Sequence, residues 1–256
     1  MGAQLRIYRR RMRSVKATKK ITKAMELISA SRIVKAQQKV AASSPYANEL
    51  TRAVSAVASL SSTNHPLTTA SLNPKRAAVL IITADRGMAG AYSNAAIKEG
   101  DQLVTLLQSR GLEVNSYLVG RKGINFYKFR NRKITASWSG FSDNPTYPHA
   151  KEVSDSLIAA FIADAQTDLN GVDEFHIIYT EFKSMITQTP EAKRMLPLEV
   201  VESVTTAGLL PMYEFEPNAA EVLNALLPRY IQARVFNAML QSAASEHAAR
   251  LSLIHI

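Results

Sequence analysis

The stretch LIITADRGMAGAYSN, Leu80–Asn94, has the layout by which proteins often hold phosphates: an apolar run, a glycine-bearing turn, then a helix start. A dinucleotide fingerprint needs G-x-G-x-x-G, and a P-loop needs G-x-x-x-x-G-K-[ST]. Here the glycines are Gly87 and Gly90, and no Lys-Ser or Lys-Thr follows them. The loop Asp85–Ala91 therefore reads as a tight strand-to-helix corner in which the glycines take positive φ, rather than as a nucleotide site. The five histidines, His65, His149, His176, His247 and His255, show no i, i+4 pair and no metalloprotease-like spacing, so no metal site is expected. His176 sits in an apolar run and reads as a core or sheet-face histidine. Asp85, Asp143 and Glu181 are scattered along the chain, and G-x-S-x-G is absent. No catalytic constellation and no cofactor are expected. With no cysteine among the 256 residues, thiolate chemistry and disulfides are ruled out.

Charge is the strongest remaining signal. Residues 1–40 carry twelve Lys and Arg against a single acid, Glu26, whereas the other 216 residues carry 19 basic and 20 acidic groups. The net charge of +10 is thus concentrated in one segment. Like charges three and four residues apart weaken a helix by a few tenths of a kcal/mol per pair. A density such as RRRMR, followed by Lys16, Lys19, Lys20 and Lys23, implies an acidic partner that neutralises it.

The elements that must carry these residues follow from periodicity. Residues 3–60 lack glycine and hold one proline, Pro45. Leu5, Tyr8, Met12, Val15, Ile21, Met25 and Ile28 recur mostly at steps of three and four, with Thr18 in the gap. This narrow stripe predicts a long helix with a coiled-coil seam, spanning roughly 85–90 Å and projecting from any globular body. Pro45 is expected to kink it or to begin a second helical piece. Residues 61–75 read as a polar linker. Short apolar runs at Ala77–Ala84, Glu113–Gly120 and Glu174–Glu181 alternate with helical patterns at Ala91–Ser109 and Pro148–Ala165. The alternation predicts an α/β base, residues 76–210, with a largely parallel sheet. Pro190 and Pro197 push the segment containing them to a sheet edge. A second striped helix is expected over 216–250, with Pro217 in its first turn and Pro228 kinking or locally opening it. Residues 251–256, LSLIHI, read as a tail outside that helix. Two striped helices flanking one base are expected to pair antiparallel, as a stalk on a globular body.

At this point the residues resemble a known family, the gamma subunit of F-type ATP synthase. KITKAMELISASR, Lys20–Arg32, is similar to its N-terminal helix signature. TADRGMAGAYSN resembles its SDRGLCGG loop, with Ala84 and Ala89 in place of Ser and Cys. YTEFKSMITQTPEAKRMLPL, Tyr179–Leu198, and SEHAAR, Ser245–Arg250, resemble two further segments, so the likeness spans essentially the whole chain. The resemblance implies a Rossmann-like α/β base flanked by an antiparallel coiled coil. It also implies a non-catalytic rotor shaft, peripheral on the cytoplasmic face of a bacterial plasma membrane. Its partners would be the alpha and beta subunits, the epsilon subunit and the c-subunit ring, and its task coupling proton-driven ring rotation to ATP synthesis. Carried over residue by residue, Arg9, Arg10, Arg13, Lys16, Lys20, Lys23 and Met25 become contacts with the alpha–beta hexamer. Tyr213, Phe215 and Glu216 become contacts with the c ring or the epsilon subunit. The family continues past SEHAAR as a helix, whereas LSLIHI departs from its pattern, as a truncated or altered end would. Equal rise along both helices then sets Arg250 opposite a residue near 26, leaving residues 1–25 unpaired and torque transmission impaired.

Two other classes compete. A nucleic-acid-binding protein would use the same basic helix and show steep salt dependence. A nucleotide-dependent enzyme would use Asp85–Ala91 but lacks both phosphate motifs. Lipid binding by the basic helix would need a broader apolar face with aromatic anchors.

Overall fold

The computed structural model describes residues 2–60, 66–163, 165, 168–198, 216 and 218–255. Helix α1 (Gly2–Leu60) is a single element of 59 residues that runs through Pro45, so no second helical piece begins there. A proline inside a helix removes one backbone hydrogen bond; the other turns on either side hold the helix together. The base follows as β1 (Arg76–Ile82), α2 (Tyr92–Ser109), β2 (Glu113–Val119), α3 (Arg121–Phe129), β3 (Ala136–Trp138), α4 (Tyr147–Ile162), β4 (Glu174–Phe182) and β5 (Gln188–Leu196), and α5 (Ala219–His255) closes the chain.

The sheet order is β3-β2-β1-β4-β5. The first four strands are parallel, and β5 pairs antiparallel with β4 at the edge, where Pro190 stands in register with Thr180. An edge strand tolerates that proline because its missing N–H faces away from the ladder. Strand β1 is buried along its whole length, as expected of a central parallel strand covered on both faces. Ala78, Leu80 and Ile82 point into the larger core with Phe175, Ile177, Val54, Leu223, Leu227 and Ile231. Ala77, Val79 and Ile81 point the other way, onto Leu107, Leu118 and Tyr127. One sheet face therefore carries α1 and α5, and the other carries α2 and α3.

Helix α5 does not stop at Arg250 but continues through His255, also passing Pro228 without a break. Leu251–His255 carry no helix breaker, so the turn begun by SEHAAR propagates. The base holds two elements that periodicity did not disclose, α3 and β3. Both are short: nine and three residues.

Candidate functional site: the stalk and its seat

Helices α1 and α5 pack against each other over a long interface. They run antiparallel. Ala47 and Thr51 of α1 line one cleft with Ala233, Asn237 and Gln241 of α5, while Arg32, earlier in α1, and His247, later in α5, both bond Asp143. The pairing falls within about a turn of the register expected from equal rise. From Ser242 to Ala248 every residue of α5 is buried. Ala243, Ala244 and Ala248, with Ser242 and Ser245, keep this stretch thin enough to lie between α1 and the sheet.

The end of α1 is different. Every residue from Gln4 to Ile21 is exposed, including Leu5 at 53% and Met12 at 56%. The apolar seam read from the sequence is thus bare over this stretch, and enclosure begins at Ser29, Ile33 and Ala36. Arg9, Arg10, Arg13, Lys16, Lys20 and Lys23 are exposed on this one helix, and Met25 is half-buried. Lys23 donates to Glu26 at 3.1 Å, the sole acid of the segment. Glu216 is exposed just ahead of α5. Tyr213 and Phe215 lie outside the described residues.

The loop after β1 sits at the carboxyl ends of the parallel strands, the crevice where doubly wound folds bind ligands. Here the chain fills it with its own carboxylate. Asp85 Oδ2 accepts hydrogen bonds from the backbone N–H of Gly140 at 2.7 Å and of Ser142 at 2.9 Å, and Oδ1 accepts from the N–H of Arg121 at 3.1 Å. The donors follow β2 and β3, so one side chain ties three strand-end loops together. An entering phosphate would meet a negative charge where it needs bare donors. The backbone departs from expectation in one respect: Gly90 has φ +53° and the second positive φ of the loop belongs to Met88, at 60°, not to Gly87. Met88 is 41% exposed and adopts a left-handed backbone that residues other than glycine seldom take.

The far end of α5 seats on these loops. The Asp85 N–H donates to Ser142 Oγ at 2.8 Å, and Ser142 Oγ donates to Glu246 Oε2 at 2.9 Å. Glu246 Oε1 accepts from Arg250 at 2.5 Å. Burial pushes the Glu246 carboxyl upward, and the Arg250 guanidinium pulls it back. His247 Nε2 donates to the Asp143 carbonyl at 3.0 Å, while its Nδ1 accepts from Arg250 at 3.2 Å. That pattern requires the neutral ring with its proton on Nε2. Burial brings the His247 pKa down to about 4. Ala249 packs on Ala84, Ala89 and Tyr92, and Leu253 lines a cavity of about 280 Å³ with Gly90, Tyr92 and Thr180. Burial, and then the charge of Glu246, push the Tyr92 hydroxyl upward.

Residues that looked scattered in the sequence, Asp85, Asp143 and His247, thus meet at one seat. Glu181 stays apart, beside Lys183 at 3.4 Å. His176 is buried against Glu174 at 2.7 Å, on the sheet as expected. His149 stacks on Phe141 with ring centroids 4.2 Å apart. Ser142 was not singled out from the sequence, and Glu246 and Arg250 entered only within SEHAAR, with no contact assigned to them. The available signal was a Glu and an Arg four residues apart inside a run of alanine and serine. Among the described residues, no group of three or more His, Asp or Glu is arranged to hold a metal ion.

Comparison with known proteins agrees with this architecture. The family described as ATP synthase matches residues 4–255, a span that takes in Leu251–His255. The ATP synthase gamma chain of Acidothermus cellulolyticus is 63% identical over 252 residues, 98% of this chain and 83% of that relative. The ATP synthase gamma chain of Streptomyces avermitilis is 58% identical over 97% of this chain and 82% of its own length. Among solved structures, the central stalk and c ring of the Tetrahymena thermophila mitochondrial ATP synthase contains a chain of the same fold, with TM-score 0.65 and 21% identity. The match covers 92% of this chain and 98% of that one. A chain of the Euglena gracilis mitochondrial ATP synthase rotor gives TM-score 0.66 at 15% identity, covering 100% and 91%. The paired helices, the self-filled crevice and these relatives lead to one assignment: this chain belongs to the ATP synthase gamma-chain family.

Proposed function

We propose that this chain is the central shaft of an ATP synthase, turning between a membrane ring and a catalytic hexamer and performing no chemistry itself. The observation that carries the reading is the pairing of α1 and α5 into a stalk whose outer end, Gln4–Ile21, is exposed, basic and striped with apolar residues. Such a surface suits a socket that is apolar inside and acidic at its rim. Arg9, Arg10, Arg13, Lys16, Lys20, Lys23 and Met25 would meet the alpha and beta subunits there. Tyr213, Phe215 and Glu216 would meet the c ring or the epsilon subunit at the other end.

Asymmetric contact of the shaft with each beta subunit in turn would bias that subunit among binding, forming and releasing states, which couples distant sites without any group on the shaft reacting. Two observations support a non-catalytic role: Asp85 occupies the crevice a nucleotide would use, and the buried Glu246 is engaged by Ser142 and Arg250. No described helix is long and apolar enough to cross a membrane, which suits attachment to the cytoplasmic face of a bacterial plasma membrane through the ring. The nucleic-acid reading of the basic helix gains nothing from the relatives.

Mixing the chain with purified actinobacterial alpha and beta subunits tests the proposal. Co-elution on size exclusion with ATPase activity above that of alpha and beta alone is the expected result. Absence of a complex, together with tight and steeply salt-dependent DNA binding, would overturn it.

A further inference from the structure

The loop between β3 and α4 touches both stalk helices and the first loop of the base at one point. The Asp143 carboxylate, 11% exposed, pairs with Arg32 of α1 and lies 3.9 Å from Arg86. Its carbonyl holds His247 of α5 at 3.0 Å. On either side, Ser142 bonds Glu246 at 2.9 Å and Asn144 accepts from Lys39 at 2.9 Å.

Apolar contact between stalk and base runs through Val54, Val57, Leu223, Leu227 and Ile231, and α5 is further tied to β4 and α4 by hydrogen bonds of Ser242, Ser245, Gln241 and Gln232. Apolar packing resists separation but has little directional preference, so it permits one surface to roll over another. Charge-assisted hydrogen bonds are directional and lose strength within a few tenths of an ångström and some tens of degrees. Resting on the rotor reading, we infer that Asp143 and Arg32 form a rotational lock between base and stalk. Asp143 reaches α1 by its carboxylate and α5 by its carbonyl, so neither helix can turn about its axis relative to the sheet without breaking a bond to this residue. Arg32 and Asp143 are positioning residues: they touch no nucleotide and hold the stalk in phase with the base.

The lock matters only when torque passes between ring and hexamer. Hydrolysis by alpha and beta needs the outer stalk alone, whereas pumping needs the base to follow. The experiment uses the whole membrane-bound complex assembled with this chain, and measures ATP hydrolysis and ATP-driven proton pumping in the same vesicles. Asp143→Arg or Arg32→Asp should leave hydrolysis near that of the unmodified complex and lower pumping per ATP about fivefold, the low end for coupling between distant sites. The double variant, which restores the pair with reversed charges, should recover most of that loss. If either reversal prevents assembly, Asp143→Asn and Arg32→Gln, which remove the charge and keep a polar side chain, replace them, with the same loss of pumping expected of each single variant.

An unchanged ratio of pumping to hydrolysis in assembled single variants would overturn the lock. So would a double variant no better than the singles, since a merely structural defect would not be mended by exchanging charges. Failure of the unmodified chain to assemble with alpha and beta would overturn the rotor reading instead, and is seen before any variant is made.

Discussion

Glu246 and Arg250 stand one turn apart on α5 and pair at 2.5 Å where both side chains are enclosed, 0% and 5% exposed. The pair sits where the stalk meets the strand-end loops of the base, and the same Glu246 takes the Ser142 hydroxyl at 2.9 Å.

Breaking such a pair costs more than removing it, because the survivor is a buried charge without its counterion. Arg250→Met is therefore expected to destabilise the chain by about 3–5 kcal/mol, with Glu246→Leu plus Arg250→Met recovering much of that. Urea unfolding midpoints of the two variants against the parent chain check the order. A double variant less stable than Arg250→Met would contradict it.

Asp85 receives three backbone N–H bonds that tie its own loop to the loops after β2 and β3. Hydrogen bonds to a charged acceptor are worth more than neutral ones, and the orphaned donors are partly shielded from water. Asp85→Ala should cost about 3 kcal/mol, and Asp85→Asn less, since one amide oxygen still accepts. Faster amide exchange at Gly140 and Ser142 in Asp85→Ala, with exchange in the middle of β1 less affected, would show the loss to be local.

His247 sets a pH dependence. Its folded pKa, about 4, lies below its ordinary value of 6.5, so the unfolded chain takes up the proton first. Stability is therefore lost as the pH falls from about 6.5 to about 4 and the loss levels off below, a change of about 3 kcal/mol from this group. The groups facing it are Arg250, Arg32 and Asp143. Glu246, whose carboxyl is pushed up by burial, acts in the opposite sense, losing stability as the pH rises. Glu246 is common to the parent and His247→Gln, so its contribution cancels in their difference, and Gln can still donate to the Asp143 carbonyl. The parent's advantage over the variant should shrink between pH 7 and pH 4; an advantage independent of pH would mean the ring titrates normally.

The outer stalk should be the first part attacked by a protease. Residues Gln4–Ile21 are exposed and rich in Arg and Lys, whereas β1 is fully buried. Brief trypsin treatment of the chain alone is expected to cut between Arg6 and Lys23 before any site within 76–196. Adding alpha and beta subunits should protect those bonds. Early cleavage inside the base, with the basic helix intact, would contradict the exposed-stalk reading.

The helix–base–helix plan was legible in the amino-acid sequence because each part of it rests on local repetition. The three-and-four spacing of Leu5 to Ile28 and of Leu223 to Ala243 is a property of one segment read by itself. So is the unbroken apolar run of β1. The charge imbalance of residues 1–40 needs only counting. The edge position of β5 followed from Pro190, which lacks a donor wherever it is placed. The limits of α5 were misjudged because LSLIHI has no cap, and a helix without a stop signal continues as long as packing supports it.

The seat could not be read in this way. Asp85, Ser142, Asp143, Glu246 and Arg250 come from three segments separated by long stretches of chain, and no periodicity links them. Whether a carboxylate binds a ligand, a metal or its own backbone depends on which donors surround it, and those donors are supplied by the sheet order. The phosphate-like loop after β1 shows the division plainly. Its sequence determined a strand, a turn and a helix start. Only the tertiary structure brought the N–H groups of Arg121, Gly140 and Ser142 onto Asp85, closing the crevice from within and turning a ligand site into the footing of a stalk.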